Sequence, residues 1–198
     1  MISLAILLWV ASAFAGADPW VSAAPGQVRV GLHSGFPWHG ADVIYAPRGP
    51  VAVTGHVETA RFQRTEVRAG VQRPWVVSPK WSVLTVATVG GVHQEGEVSR
   101  QGPQVGAVFM VTRLGRVEPF FSLHDRELFS LQSVQTLTRV GEETQWTAAR
   151  YSSRGGSLGM RVPIQTQWCL NVAIQAGSVD SAFAIPSLLL GMSWRSKE

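Results

Sequence analysis

The stretch Gly115–Glu127, "GRVEPFFSLHDRE", decides the fold class because its side chains alternate in character. The odd-numbered positions are mostly apolar and hold Val117, Pro119, Phe121 and Leu123. The other parity is mostly polar and holds Arg116, Glu118, Phe120, Ser122, His124 and Arg126. On an extended chain successive side chains point to opposite faces. The stretch therefore predicts a strand with one apolar face and one charged face.

The same alternation recurs along the chain from residue 27 onward, and no long window has helical periodicity. It predicts strands at 27–34, 41–46, 51–61, 65–73, 81–92, 104–113, 116–128, 151–162, 168–177 and 184–194. The first two are short for a membrane-spanning strand. We expect ten strands if these two belong to the main sheet, and eight if they pack outside it.

The connections between these strands are unequal in length. Short turns fall at 47–50, 78–80, 114–115 and 165–166, whereas longer or more polar links cover 93–103, 130–150 and 178–183. Short turns on one side and longer loops on the other are typical of outer-membrane barrels. We expect the segments 93–103 and 130–150 to be loops where a protein or ligand partner could bind.

Apolar and polar faces on most of these strands fit a closed barrel in lipid, although residues 81–92 are apolar or small on both faces. In hydrocarbon no water can satisfy an unpaired backbone amide, so a membrane sheet must close on itself. We therefore predict an all-β protein: a closed, antiparallel, up-and-down transmembrane β-barrel of 8 to 10 strands spanning 27–195. The apolar face meets lipid and the polar face lines the lumen.

Charges inside so narrow a lumen must pair, because an isolated buried charge costs several kcal/mol. His33 and His56 also fall on the lumenal parity. The sequence predicts a lumenal charge network made of Arg29, Glu58, Glu66, Arg68, Arg116, Glu118, His124, Arg126 and Arg161.

The N-terminal segment predicts export. "MISLAILLWV" is a short apolar block followed by the small residues "ASAFAGA". This pattern is typical of a signal peptide covering 1–15, with cleavage after Ala15 or after Ala17. The alternative is a buried N-terminal helix.

Cys169 is the one cysteine, which excludes an intramolecular disulfide and a multi-cysteine metal site.

Charge and motifs disfavour several function classes. The net charge of +4 comes from arginines spaced singly along the chain, so nucleic acid is not an expected partner. We predict no cofactor, no metal site and no catalytic residue. The best catalytic candidate, His124-Asp125, is split between opposite faces of a strand. His93, Ser122 and Ser152 could serve a lipid-modifying site, but no motif fixes them, so a catalytic role for His124 stays open.

The chain resembles a small bacterial outer-membrane β-barrel protein. The resemblance covers about residues 27–195 and depends on the export signal, the alternating strands, the unequal connections and the final "PSLLLGMSW" that ends on Trp194. It implies a place in the outer membrane, contact with outer-membrane lipid and insertion by the barrel-insertion machinery. Four functions remain open: a structural or binding barrel, a narrow pore, a lipid A-modifying enzyme, and a soluble periplasmic lipocalin-like binder with its faces reversed.

Overall fold

The computed structural model describes residues 23, 25–35, 38–60, 64–95, 98–138, 141–179 and 182–196. The predicted signal peptide lies outside these residues. The described part of the chain forms ten strands: β1 (Val28–Gly35), β2 (Trp38–Tyr45), β3 (Ala52–Ala60), β4 (Arg64–Ser78), β5 (Trp81–Gln94), β6 (Val98–Arg113), β7 (Glu118–Thr138), β8 (Gly141–Pro163), β9 (Trp168–Val179) and β10 (Ala182–Arg195).

These strands close into one barrel. Each strand pairs antiparallel with its neighbours in sequence, and β1 pairs with β10, where Val30 lies opposite Trp194. The predicted closed up-and-down barrel is confirmed with ten strands, and β1 and β2 form part of its wall. Across the described residues, no helix is long and apolar enough to cross a membrane.

The two faces of the wall have opposite chemistry. Leu158 on the outer face keeps 66% of its surface exposed, whereas Glu58 on the inner face keeps 1%. In the stretch 115–127, Phe121 and Leu123 point outward while Ser122 points into the lumen. A barrel made for water would have the reverse distribution, so the outer face is suited to hydrocarbon.

The segments predicted as long loops are mostly strand. β5 continues to Gln94, β6 begins at Val98, β7 runs to Thr138 and β8 begins at Gly141. Segments 93–103 and 130–150 are rich in Gln, Ser, Thr and Glu, which favoured a loop interpretation. Antiparallel pairing joins backbone groups and needs no apolar face, so polar strands extend beyond the part of the wall that could meet lipid.

The inner face changes character along the barrel axis. Near the short turns it holds a buried apolar cluster that includes Ile44, Leu84, Met110 and Phe120. The most densely charged part of the inner face lies further from those turns. Because Phe120 falls among polar positions of its strand, the sequence pattern alone did not identify this apolar layer.

Proline marks where the ladders are interrupted. We expected a bulge or an unpaired site at Pro119; it pairs with Met160 of β8, while its ladder with β6 begins one residue later, at Phe120. A register shift instead falls between Ala184 and Ser187, the interval that contains Pro186. Proline cannot donate to a ladder, which explains both interruptions.

Candidate functional site

The most densely charged part of the lumen is centred on Glu58 of β3. Its Oε1 lies 3.6 Å from His33 Nε2, and its Oε2 lies 3.4 Å from His56 Nε2. An Arg68 guanidinium nitrogen donates to the same Oε2 at 3.3 Å. All four side chains are buried. A single carboxylate thus contacts two imidazoles and one guanidinium.

Strand register explains why Arg68 is needed. Between β3 and β4, Glu58 lies directly opposite Glu66, and His56 lies opposite Arg68. Like charges placed opposite each other destabilise a sheet. Arg68 contacts both carboxylates, with its Nε 3.8 Å from Glu66 Oε2, and Arg64 donates to the other oxygen of Glu66. The two arginines therefore offset the Glu58–Glu66 repulsion.

A second group of charges lies at the short-turn end of the lumen. Arg161 Nε is 3.4 Å from Glu118 Oε2, and another guanidinium nitrogen of Arg161 donates to Thr112 Oγ1 at 3.1 Å. Arg29 donates to Ser193 Oγ at 3.1 Å. Glu118 is only partly buried, so this group lies near the opening of the barrel on the short-turn side.

The nine residues predicted as one network are divided by the structure. Glu58, Glu66 and Arg68 form the first group, and Arg29, Glu118 and Arg161 lie in the second; His124 and Arg126 are buried on the lumenal face of β7. The prediction for Arg116 is wrong. It is exposed in the turn between β6 and β7, because β7 begins at Glu118.

Sequence reasoning missed three charged lumenal residues. Asp42 alternates with outward Val43 and could have been found from that parity. Arg64 lies one residue before the predicted strand 65–73. Arg100 fell in a predicted loop, but it is buried in β6 with its guanidinium 4.5 Å from the Tyr151 ring centroid.

The candidate catalytic side chains do not converge. His124 lies in the lumen, while Asp125 on the outer face is 3.4 Å from Arg154 Nε. Ser122 Oγ is hydrogen-bonded to Ser157 Oγ at 2.7 Å. His93 is exposed on β5 and pairs with Glu95 at 3.3 Å. The carboxylate that would orient His124 in an acid–base pair therefore lies on the opposite face of the strand.

Two ion pairs cross the outer wall between β7 and β8. Asp125 pairs with Arg154, and Arg150 Nε donates to Glu127 Oε2 at 2.8 Å. At ~3.3 Å per residue and a tilt near 40°, Asp125 and Arg154 lie roughly 18–23 Å from the short-turn ends of their strands. That height is close to the ~25 Å of an outer-membrane apolar band, so these pairs are placed where the wall leaves hydrocarbon.

Beyond these ion pairs the barrel continues as an open sheet, here called the projecting sheet: residues 98–103 of β6, 128–138 of β7 and 141–152 of β8. The ladder between β8 and β9 ends at the pair Ser153–Val179. The β7–β8 ladder continues to Thr138–Gly141. Within the described residues, segment 141–152 of β8 has no strand paired to its other edge.

The outer face of the projecting sheet is partly apolar. Phe129, Leu131 and Trp146 are exposed there. An open groove lies between β6 and β7, where the ladder passes from Gln101–Leu131 to Gln104–Leu128 without pairing the two residues between. The groove is lined by Gly91, Gln101, Gly102, Pro103, Phe129, Ser130, Leu131, Ala148, Ala149 and Arg150.

Closed strand pairing, an apolar outer wall and a charged, buried lumen define a transmembrane β-barrel of the outer-membrane type. No protein-family model matches the chain, and no curated protein matches it either. Solved structures with a similar fold include three bacterial outer-membrane proteins.

The first is Ail, the attachment invasion locus protein of Yersinia pestis, at 8% identity and a TM-score of 0.43, covering 87% of this chain and 100% of that one. The second is a loop L8 deletion mutant of OmpT from Vibrio cholerae, at 11% identity and a TM-score of 0.43, covering 92% and 71%. The third is the NanC porin, at 10% identity and a TM-score of 0.43, covering 85% and 98%. Because these TM-scores are low, the assignment of the chain as a transmembrane β-barrel depends on its own strand pairing.

Proposed function

We propose that the protein is a plugged outer-membrane barrel that anchors a binding surface, and that a partner protein docks by adding a strand to the edge of β8. The observation that carries the proposal is the edge of β8 at residues 141–150, which pairs with β7 on one side and, within the described residues, with no strand on the other. Strand addition to an exposed edge uses backbone hydrogen bonds for affinity and pockets for specificity. The groove beside Phe129 and Leu131 is suited to an apolar side chain of that partner.

The lumen favours an anchor over a pore. A conducting lumen would expose its charged side chains to water, yet Glu58, Glu66 and Arg68 are each at most 2% exposed. The apolar layer of Leu84, Met110 and Phe120 adds a second obstruction nearer the short turns. Interiors of barrels with about eight strands are filled by their own side chains, and the same reasoning applies to ten strands with large lumenal residues.

The other two functions have less support. A lipocalin-like binder requires an apolar interior and a polar exterior, which is the reverse of the distribution around Leu158 and Glu58. A lipid A-modifying enzyme requires converging catalytic groups, yet His124 lies in the lumen while His93 and Asp125 lie on the outer face.

The first test is conductance of the refolded protein in a planar bilayer. We expect no single-channel steps, because the charged and apolar side chains of the inner face are buried against one another. Regular steps from the wild-type barrel would overturn the plugged-barrel part of the proposal and favour the narrow pore.

The second test uses a phage-displayed library of random 12-residue peptides selected on the detergent-solubilised barrel. The matched variant replaces residues 131–148 by Asn-Gly, joining the paired residues Ser130 and Ala149 and keeping the Glu127–Arg150 pair. We expect selected peptides to bind the full barrel and to lose binding to the shortened one, while His93→Ala binds them normally. Equal binding to the shortened barrel, or a selection that yields no binder, would overturn strand docking.

A further inference from the structure

We propose that His33, His56 and Glu58 bind one divalent transition-metal cation, of the kind that zinc represents, inside the lumen below the rim. Their donor atoms all lie within 4.8 Å of one another. The three residues are 7%, 6% and 1% exposed, respectively. Two imidazoles and one carboxylate form a donor set that suits Zn²⁺ and leaves a fourth position for water.

The histidine–carboxylate distances are close to those between two ligands of one metal ion. His33 Nε2 lies 3.6 Å from Glu58 Oε1, and His56 Nε2 lies 3.4 Å from Glu58 Oε2. Both exceed the usual hydrogen-bond range of about 2.7–3.2 Å. In a tetrahedral site with bonds of about 2.0–2.2 Å, ligand atoms are separated by roughly 3.3–3.6 Å. The three donor atoms lie within 4.8 Å of one another, so they would move closer together to hold one cation.

A second carboxylate is placed to orient one ligand. Asp42 Oδ1 lies 4.0 Å from His33 Nδ1, on the side of the ring away from Glu58. Metal-binding histidines commonly donate their other N–H to a carboxylate, which fixes the tautomer. In the described structure Asp42 Oδ2 and His56 Nδ1 are buried without a hydrogen-bond partner. These two polar atoms of the cluster could therefore still form hydrogen bonds.

Two glycines make the room that these side chains occupy. Gly40 lies opposite His33 on the β1–β2 ladder, and Gly31 lies opposite Asp42. A Cβ built on Gly40 would be 2.5 Å from His33 Nε2, and one built on Gly31 would be 2.5 Å from Asp42 Oδ1. The close fit limits the positions of both side chains. The parallel rings of His33 and His56, 5.4 Å apart, present their edges to the same carboxylate.

Arg68 can remain beside a bound cation. It contacts Glu58 through Oε2 and also faces Glu66, so Glu58 Oε1 is available to the metal. The cluster is also close to the rim: His33 is two residues from the end of β1, and Glu58 is two residues from the end of β3.

The experiment measures binding of Zn²⁺ alone to the refolded, metal-stripped barrel in detergent, by calorimetry and by metal content after gel filtration. We expect one ion per barrel and a higher melting temperature with zinc present. Co²⁺ in place of Zn²⁺ should give the visible absorption of a tetrahedral site. His33→Gln and His56→Ala should each abolish stoichiometric binding.

The matched control is His93→Ala. His93 forms the same type of pair, with its Nε2 3.3 Å from Glu95 Oε1, but no third donor joins that pair in the metal-site clusters of the described residues. Its loss should leave zinc binding unchanged. Asp42→Asn should keep the stoichiometry and weaken the affinity by about 10–100-fold, as expected for an orienting group.

The proposal is overturned if the wild-type barrel binds no zinc, or if His56→Ala retains full binding while His93→Ala loses it. Heat-modifiable gel mobility identifies variants that have folded. If His56→Ala does not fold, His33→Gln and the Co²⁺ spectrum of the wild type decide the question. Conductance and peptide binding measure other parts of the molecule, so this proposal and the proposed function can fail independently.

Discussion

Two ion pairs of the same residue types lie in opposite environments. The Arg64 and Glu66 side chains in the lumen are 3% and 1% exposed, whereas those of Arg150 and Glu127 on the outer wall are 67% and 22% exposed. Charges inside the lumen have lost their water and depend on each other. Charges at the edge of the wall keep water as an alternative partner. Removing one partner of a lumenal pair should therefore destabilise the barrel far more than removing one partner of an outer pair.

The largest expected effect is that of Glu66→Gln. This change leaves Arg64 and Arg68 with one less carboxylate in a buried site, and removal of one partner from a buried pair costs about 3–5 kcal/mol. The measurement is the urea midpoint of the barrel refolded in detergent. The double variant Arg64→Met with Glu66→Met is the control, and we expect it to recover much of the loss. A single variant as stable as wild type would show that the lumen is hydrated.

A comparable effect is expected from Phe120→Ala. This variant allows an inward and an outward phenylalanine of the same strand to be compared. Phe120 is buried in the lumenal apolar layer, and its neighbour Phe121 faces outward. Truncating a buried Phe leaves a cavity and costs about 3–5 kcal/mol. At Phe121, lipid or detergent can fill the space, so the same truncation should cost much less. Equal urea midpoints for the two variants would contradict the assignment of inside and outside.

The alternation of residues 115–127 predicted a strand with two different faces, because period-two chemistry is a property of each residue alone. Closure of the sheet was inferred from the need to pair every backbone amide in lipid. The distance to which the strands extend beyond the membrane wall was not predictable in the same way. Residues 130–138 and 141–150 carry no apolar alternation, and their strand structure comes from pairing between β7 and β8. Arg116 was assigned to the lumen because parity says nothing about where a turn ends.

The candidate sites were only partly accessible to sequence reasoning, for a related reason. Parity placed His33, His56 and Glu58 in the lumen, but not next to one another. Their proximity depends on the β1–β2 and β2–β3 registers, which bring three strands into line. Register is set by turns and by the closure of the whole barrel, and neither is local. Asp42 was missed because its short strand was never assigned a face.

A smaller effect, of about 2–4 kcal/mol, is expected from Leu158→Arg. Leu158 is exposed on the outer wall, five residues from the short-turn end of β8, which corresponds to roughly the middle of the apolar band. The matched control is Thr144→Arg, at an exposed position in the projecting sheet. It should fold in lipid vesicles as wild type does. If both variants behave alike, the outer wall has no apolar band and the membrane assignment fails.

The smallest effect is expected from Glu127→Gln, and it is the change that tests the edge of the band. The variant removes the negative charge that Arg150 contacts at 2.8 Å and leaves an amide oxygen that can still accept its hydrogen bond. Both side chains remain accessible to water, and lipid headgroups can replace the carboxylate. We expect the urea midpoint in vesicles to stay within experimental error of wild type, at both low and high salt. Exposed pairs contribute little to stability and are screened by salt. A large loss in vesicles that disappears in detergent would mean that Arg150 lies in hydrocarbon. The band would then extend beyond the ion pairs, and the lower part of the projecting sheet would belong to the membrane wall.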